Sequence, residues 1–433
     1  MAVGSGLGTH IKDAYRFLMQ NYRHGDKICL LGFSRGAYTV RCLAGMLHKV
    51  GLLPASNRSQ VNFAYDFYKD ETDEGKKLAE GFKHTFCTHV DVYFLGLWDC
   101  VASVGFFPRK LPLSKSPPAN TVRFVRHAMA LDERRAKFKV CQWNQDDPGA
   151  PAGLPSASTT LQATKGEKQG DNASCSDNDT MNSLARRHDE DCRHRHDFDT
   201  DVLEVWFKGA HADVGGGSVE NEARHMLSRI PLRWMIRQCF ECNTGILFDT
   251  ERLAQLGLDV HGLYPKYQKL DRSELDRGGG QPDQRLMRKY KQETLAPLDW
   301  RSAVLNIERE GRKDDGKSAP KQTVEDQAAV MDKAQYILPS EVAEDYFDSR
   351  QEPCDMLRKK RMWWIVEIWP VKIRVLVQNK TAWAKKVRLN LGRHRAVRET
   401  RPHLHWTVQR LIDNEEYKIQ GRRTNGTVFK DVV

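Results

Sequence analysis

The sequence predicts an α/β fold, a sheet with flanking helices. Three observations carry that expectation. Short apolar runs at Lys27–Leu31, Val90–Asp99 and Leu203–His211 read as strands, the first of the kind covered on both faces. Segments of helical periodicity alternate with them. The later two runs close on an acid and a histidine, and the first runs into a serine flanked by glycines. A chain of 433 residues with 40% apolar content can bury a core of this kind.

In chain order, Thr9 reads as the cap of a helix whose apolar residues Ile11, Ala14, Tyr15, Leu18, Met19 and Tyr22 keep the i, i+3, i+4, i+7 rule. His24–Lys27 turns the chain into the first strand, and the helix after Ser34 puts Tyr38, Cys42, Leu43, Met46 and Leu47 on one side. Val122–Phe138 reads as a helix between the second and third strands, and Met226–Phe240 as an amphipathic helix after the third. Residues 144–200, rich in Asp, Ser, Asn, Gly and His, have the composition of a disordered low-complexity insertion. From Asp355 to Thr400 thirteen Lys or Arg face three acids, interleaved with Trp363, Trp364, Trp369 and Trp383. The expected organisation is therefore 1–143 and 201–270 as two parts of one domain split by the insertion, 271–330 as a polar loop or lid, and 331–433 as a basic, Trp-rich region packing on the domain.

The chemistry centres on Gly32-Phe33-Ser34-Arg35-Gly36, the G-x-S-x-G pattern of a nucleophile elbow. Small flanking residues let strand and helix approach closely, so the serine stands clear on a strained turn. The backbone N–H of Arg35, at the helix start, supplies an oxyanion donor. A serine hydroxyl needs a base, and the base an orienting acid. Asp99 and His211 supply these in the order Ser, acid, His, each at the end of an apolar strand. Asp213 competes with Asp99 as the acid, and the run His211-Ala-Asp213-Val-Gly215-Gly216-Gly217 implies a tight turn with close backbone approach.

Neither metal nor cofactor is expected. Cys239-x-x-Cys242 has no second pair at ligand spacing and reads as two ordinary thiols, and the His188–His196 run reads as a solvated charge cluster. Ten scattered cysteines suit reduced thiols better than a disulfide framework. The net charge of +11 favours anionic partners, a phospholipid surface or nucleic acid, and specifies neither. Nucleic acid rests on charge alone and is the weaker reading. The basic Trp-rich region reads either as an anionic-membrane surface or as a lid with its tryptophans packed inward. With no run of about 20 apolar residues and no basic-then-apolar leader, the expected location is cytoplasmic. Oligomeric state is not addressed by the sequence.

GFSRGAYTVR, FLGLWDCVASVG, RHAMALDERRAKF and GAHADVGGG, all within Leu30–Gly217, resemble in order the signature blocks of the catalytic domain of type VI secretion phospholipase effectors. That α/β-hydrolase family was long catalogued as a domain of unknown function and is abundant in fungi. Weaker likeness extends to NLGRHR and LHWTVQRL. The resemblance implies an α/β-hydrolase-like sheet, Ser34 as nucleophile, His211 as base, Asp99 as acid, and an ester substrate that in the bacterial effectors is phospholipid. Such domains carry an Asp-Gly-Thr block on strands before the elbow. None precedes Ser34 here, and only 26 residues precede Lys27, so the expectation is a fungal-type, N-terminally truncated member missing its first strands. The expected function is phospholipase-like serine ester hydrolysis; the alternative is a catalytically inactive, truncated paralogue acting as a binding or scaffold protein.

Overall fold

The computed structural model describes residues 6–101, 122–143, 198–270, 282–302, 304–305, 338–377, 380 and 382–432. The insertion expected at 144–200, with its His188–His196 cluster, lies outside the described residues apart from 198–200, as do 271–281 and 306–337.

The chain is a mixed α/β protein built on a parallel sheet. Its strands are β1 (Ile28–Phe33), β2 (Val92–Trp98), β3 (Val122–Ala130), β4 (Asp201–Phe207), β5 (Val371–Val377), β6 (Ala382–Arg388), β7 (His403–His405) and β8 (Lys430–Val432). Six of them pair, all in parallel, in the order β1-β2-β3-β4-β7-β8, while β5 and β6 form a separate antiparallel pair. The helices are α1 (Leu7–Asn21), α2 (Arg35–Val50), α3 (Val61–Lys69), α4 (Asp73–Phe86), α5 (His211–Gly215), α6 (Arg229–Glu241), α7 (Thr250–Gln255), α8 (Gln284–Lys291), α9 (Glu341–Ser349), α10 (Met356–Lys359), α11 (Trp364–Glu367) and α12 (Trp406–Asp413).

Strand alternation distributes the core. Ile28 and Leu30 of β1 pack with α1 and α2 through Ile11, Tyr15, Leu43 and Leu47. Cys29, between them, joins a second cluster with Phe94, Phe207, Trp234 and Met235 on the α6 side. The first helix begins at Leu7 after Gly6 with no side-chain cap, so Thr9 lies within its first turn rather than capping it.

The largest departure from expectation is Val122–Phe138, which is strand β3 to Ala130 and not a helix. Arg126 and His127 of this strand are 5% and 0% exposed. Arg126 Nε donates to Gln238 Oε1 at 2.6 Å and its Nη2 to Asp201 Oδ2 at 2.8 Å. His127 lies opposite Glu204 in β4, with Nδ1 2.8 Å from its Oε1. Partners on β4 and α6 thus satisfy these buried polar side chains. Among the described residues no helix is long and apolar enough to cross a membrane.

Candidate active site

β1 ends in a tight strand-to-helix turn. Ser34 sits between Phe33 and the first residue of α2 with φ 60° and ψ −122°, a conformation strained for a residue with a side chain. Its N–H continues the sheet ladder to Trp98 O at 2.9 Å. Gly32 makes the turn fit: a Cβ there would lie 2.7 Å from the backbone of Gly36 and Ala37. Arg35 opens α2 with an exposed side chain, and its N–H, first in the helix, has no intrahelical acceptor.

Asp99 follows β2 in the left-handed region (φ 43°), which aspartate tolerates better than most residues, and is completely buried. His211 opens α5 just beyond β4 and is 6% exposed. Its Nε2 lies 2.7 Å from Ser34 Oγ and its Nδ1 2.5 Å from Asp99 Oδ2. An ionised carboxylate only accepts, so Nδ1 carries the proton and Nε2 presents its lone pair to the Ser34 hydroxyl. The imidazole is held between rings, with the Phe33 centroid 4.6 Å away and the Phe138 centroid 4.8 Å away, edge-on. Gly215 permits the first of these contacts, since a Cβ there would come within 2.0 Å of the Phe33 ring.

Asp213 is elsewhere. Its Oδ2 accepts from the N–H of Ala210 at 2.8 Å and of Cys354 at 2.7 Å, tying α5 to the chain before α10. Gly216 follows α5 with φ 94°. At Gly36 a Cβ would meet nothing within 4 Å, so steric fit does not demand that glycine.

Three contributors escape a reading of the sequence. Arg395 donates to both oxygens of Asp99, with Nη2 2.7 Å from Oδ2. Glu133, paired to Arg135, accepts the His211 N–H at 3.3 Å. Phe138 links His211 to Trp363, 5.4 Å further on. Burial pushes the Asp99 carboxyl up, but the Arg395 charge and the hydrogen bonds from His211 and Arg395 outweigh it and hold the group well below the usual carboxylate range. All three lie inside blocks that resemble the family, Arg395 in NLGRHR and Glu133 and Phe138 in RHAMALDERRAKF, but neither block says which side chain meets the imidazole or its acid.

The eight described cysteines, Cys239 and Cys242 included, form no disulfide, and the described residues contain no group of three or more His, Cys, Asp or Glu suited to a metal. An open cavity of about 570 Å³, lined by Leu258, His261, Leu286 and Arg301 among others, lies apart from Ser34, Asp99 and His211.

The class these features define is a mixed α/β protein whose parallel sheet carries a serine, a histidine and an aspartate in one hydrogen-bonded line beyond its strand ends. Residues 1–238 match the family described as "T6SS, Phospholipase effector Tle1-like, catalytic domain", and the chain belongs to that family, whose members are phospholipase-like hydrolases. An uncharacterized protein of Saccharomyces cerevisiae, YEL023C, is 26% identical over 484 residues, an alignment covering 93% of this chain and 67% of that protein. The crystal structure of an uncharacterized protein from Pseudomonas aeruginosa aligns at 14% identity with a TM-score of 0.27, over 82% of this chain and 46% of that one. The chain thus spans less than half of that bacterial protein.

Proposed function

We propose that this chain is a serine hydrolase of carboxylic esters, with phospholipid as its substrate class, working through Ser34, His211 and Asp99. The observation that carries the reading is the unbroken line from Ser34 Oγ through both ring nitrogens of His211 to Asp99, at 2.7 and 2.5 Å. Ser34 Oγ attacks the ester carbonyl carbon as its proton passes to His211 Nε2, and the carbonyl electron pair becomes an oxyanion facing the Arg35 N–H. The tetrahedral intermediate collapses, the carbon–oxygen bond to the alcohol breaks, and His211 protonates the departing oxygen. Water then gives a proton to His211 and bonds to the acyl carbon; Ser34 leaves with the returned proton and the acid is freed. Each step balances without metal or cofactor.

In this reading, residues 1–143 and 201–270 are the two parts of the hydrolase domain and 331–433 packs on it. The region around α11 is the docking surface for an anionic lipid layer. Met362, Ile365, Ile368 and Trp369 are 80%, 65%, 60% and 67% exposed, and Lys359, Lys360 and Arg361 beside them are exposed too. Apolar side chains ringed by cations suit anionic headgroups above acyl chains. Trp363 connects this surface to Phe138 and so to His211.

A fluorophosphonate probe should label the wild-type chain, and Ser34→Ala should remove both the label and fatty-acid release from phospholipid vesicles. A folded wild type that resists the probe would instead be a binding protein on this fold.

A further inference from the structure

Asp99 has no exposed surface and receives four donors. Oδ2 accepts from His211 Nδ1 and Arg395 Nη2; Oδ1 accepts from Arg395 Nη1 and from the Ala130 N–H at 3.0 Å. Arg395 is 7% exposed, and its Nε donates to Phe138 O at 2.8 Å and its Nη1 to Ala130 O at 3.1 Å. A guanidinium fork on a carboxylate fixes two atoms at once, which an ammonium does not.

The chain around Arg395 is itself stitched down. Glu367, with no exposed surface, accepts from the N–H of Ala136 at 2.5 Å, from Asn390 Nδ2 at 2.6 Å and from the Gly392 N–H at 2.9 Å. Asn390 Nδ2 also donates to Arg134 O at 2.8 Å, and the Arg395 N–H to Glu133 O at 3.2 Å. The segment carrying Arg395 is therefore anchored to the turn after β3 that brings Phe138 against His211. It lies outside the 1–238 stretch that matches the family.

We propose that Arg395 is a positioning residue of this site: its fork aims the Asp99 carboxylate at His211, and its charge keeps the buried Asp99–His211 pair from retaining a proton at neutral pH. The proposal rests on the reading of Ser34, His211 and Asp99 given above. A carboxylate orients an imidazole but also stabilises the imidazolium, which is useless as a base; a second cation on the far side of the carboxylate weakens that hold. Among the described residues, the other charged or titratable groups near the pair include Glu133, bound to Arg135, after β3; Asp132, on the Gly209 N–H; Asp213 on α5; His127 on β3, which accepts the Cys100 N–H; and Cys100 after β2. Among the described residues Arg395 alone places a fixed positive charge on Asp99, the other side-chain donor being the His211 Nδ1–H.

The test uses the full chain with isotope-labelled histidine, assigned by His211→Gln, and follows the imidazole by NMR against pH. In Arg395→Met the Asp99–His211 pair should take up its proton at higher pH than in wild type, whichever atom holds it. The acidic limb of the rate profile should move the same way, and kcat should fall on the order of 10²-fold with little change in KM, as for a misaimed catalytic group. In an Asp99→Asn background, Arg395→Met should add no further loss. A folded Arg395→Met with wild-type proton uptake, or losses that simply add, overturns the proposal. Should that variant not fold, Arg395→Lys decides: wild-type proton uptake with lowered kcat supports it, and undiminished kcat overturns it. The titration is read without turnover, so an inactive wild type would sink the hydrolase reading and leave the Arg395 result standing.

Discussion

Asp99 and Asp213 are buried carboxylates on either side of the histidine turn, driven in opposite directions by what surrounds them. Burial raises both. At Asp99 the Arg395 charge and the donors around it prevail and hold the group low; at Asp213, whose partners include the N–H groups of Ala210 and Cys354, burial prevails and the carboxyl stands above its ordinary value. The folded value of Asp99 lies below its unfolded one, so its contribution is present above about pH 4 and lost as pH falls through the folded value. For Asp213 the sign reverses: the folded state holds the proton more tightly, and stability is lost as pH rises from the unfolded value through the folded one. Asp213→Asn removes that charge while its oxygen can still accept both N–H groups. In urea melts from pH 4 to 7 its stability should therefore decline less with pH than that of wild type, and hydrolysis should persist. Asp99→Asn, which presents an amide to Nδ1 and favours the wrong tautomer, should lower kcat on the order of 10⁴-fold. Equal activity losses from the two variants would remove Asp99 as the acid.

At the level of elements, the site depends on two close approaches. One sets strand β1 against helix α2 at Gly32; the other sets the ring of Phe33 over the backbone at Gly215. Both glycines are legible in G-x-S-x-G and in HADVGGG, because each pattern encodes a backbone that must come near something. The character of β3 is not legible in the same way. VRFVRHAMA carries two cations and a histidine; Arg123 stays exposed, and only the partners Asp201, Gln238 and Glu204 on other elements turn Arg126 and His127 inward. The short helix α11 and the residues flanking it do the opposite and turn apolar groups outward. Replacing Ile365, Ile368 and Trp369 together by Ser should weaken sedimentation with phosphatidylserine vesicles by at least roughly tenfold, since each side chain entering the acyl region is worth about 1.5–3 kcal/mol. Wild-type retention should also fall with salt and be poor on zwitterionic vesicles. Binding that survives the triple substitution would remove α11 as the docking surface.

Across the whole molecule, residues far apart in the chain complete one another. β7 and β8, from near the C-terminus, extend the sheet beside β4. The acids of α9 clamp α6: Arg233 reaches Asp345 and Asp348, the latter at 2.6 Å, and Arg237 reaches Glu341 at 2.5 and 2.6 Å, all with little exposure. A buried cluster of this kind is expensive to break from one side. Arg233→Met should cost about 3–5 kcal/mol in denaturant unfolding, and adding Asp345→Asn and Asp348→Asn should recover part of that loss by removing the stranded charges. A single substitution within 1 kcal/mol of wild type, in line with about the median for exposed pairs, would mean the cluster behaves as a surface network. What the sequence by itself determined is local: the apolar runs of strand length, the serine pinched between glycines, the acid and the histidine just past their strands. Each is written within about ten residues, as a period or a spacing. The tertiary structure alone decided that Val122–Ala130 is a strand, that Asp99 rather than Asp213 meets the imidazole, and that Arg395, 296 positions away, meets Asp99. Burial pairs charges and rings through space, and such pairing leaves no periodic trace along the chain.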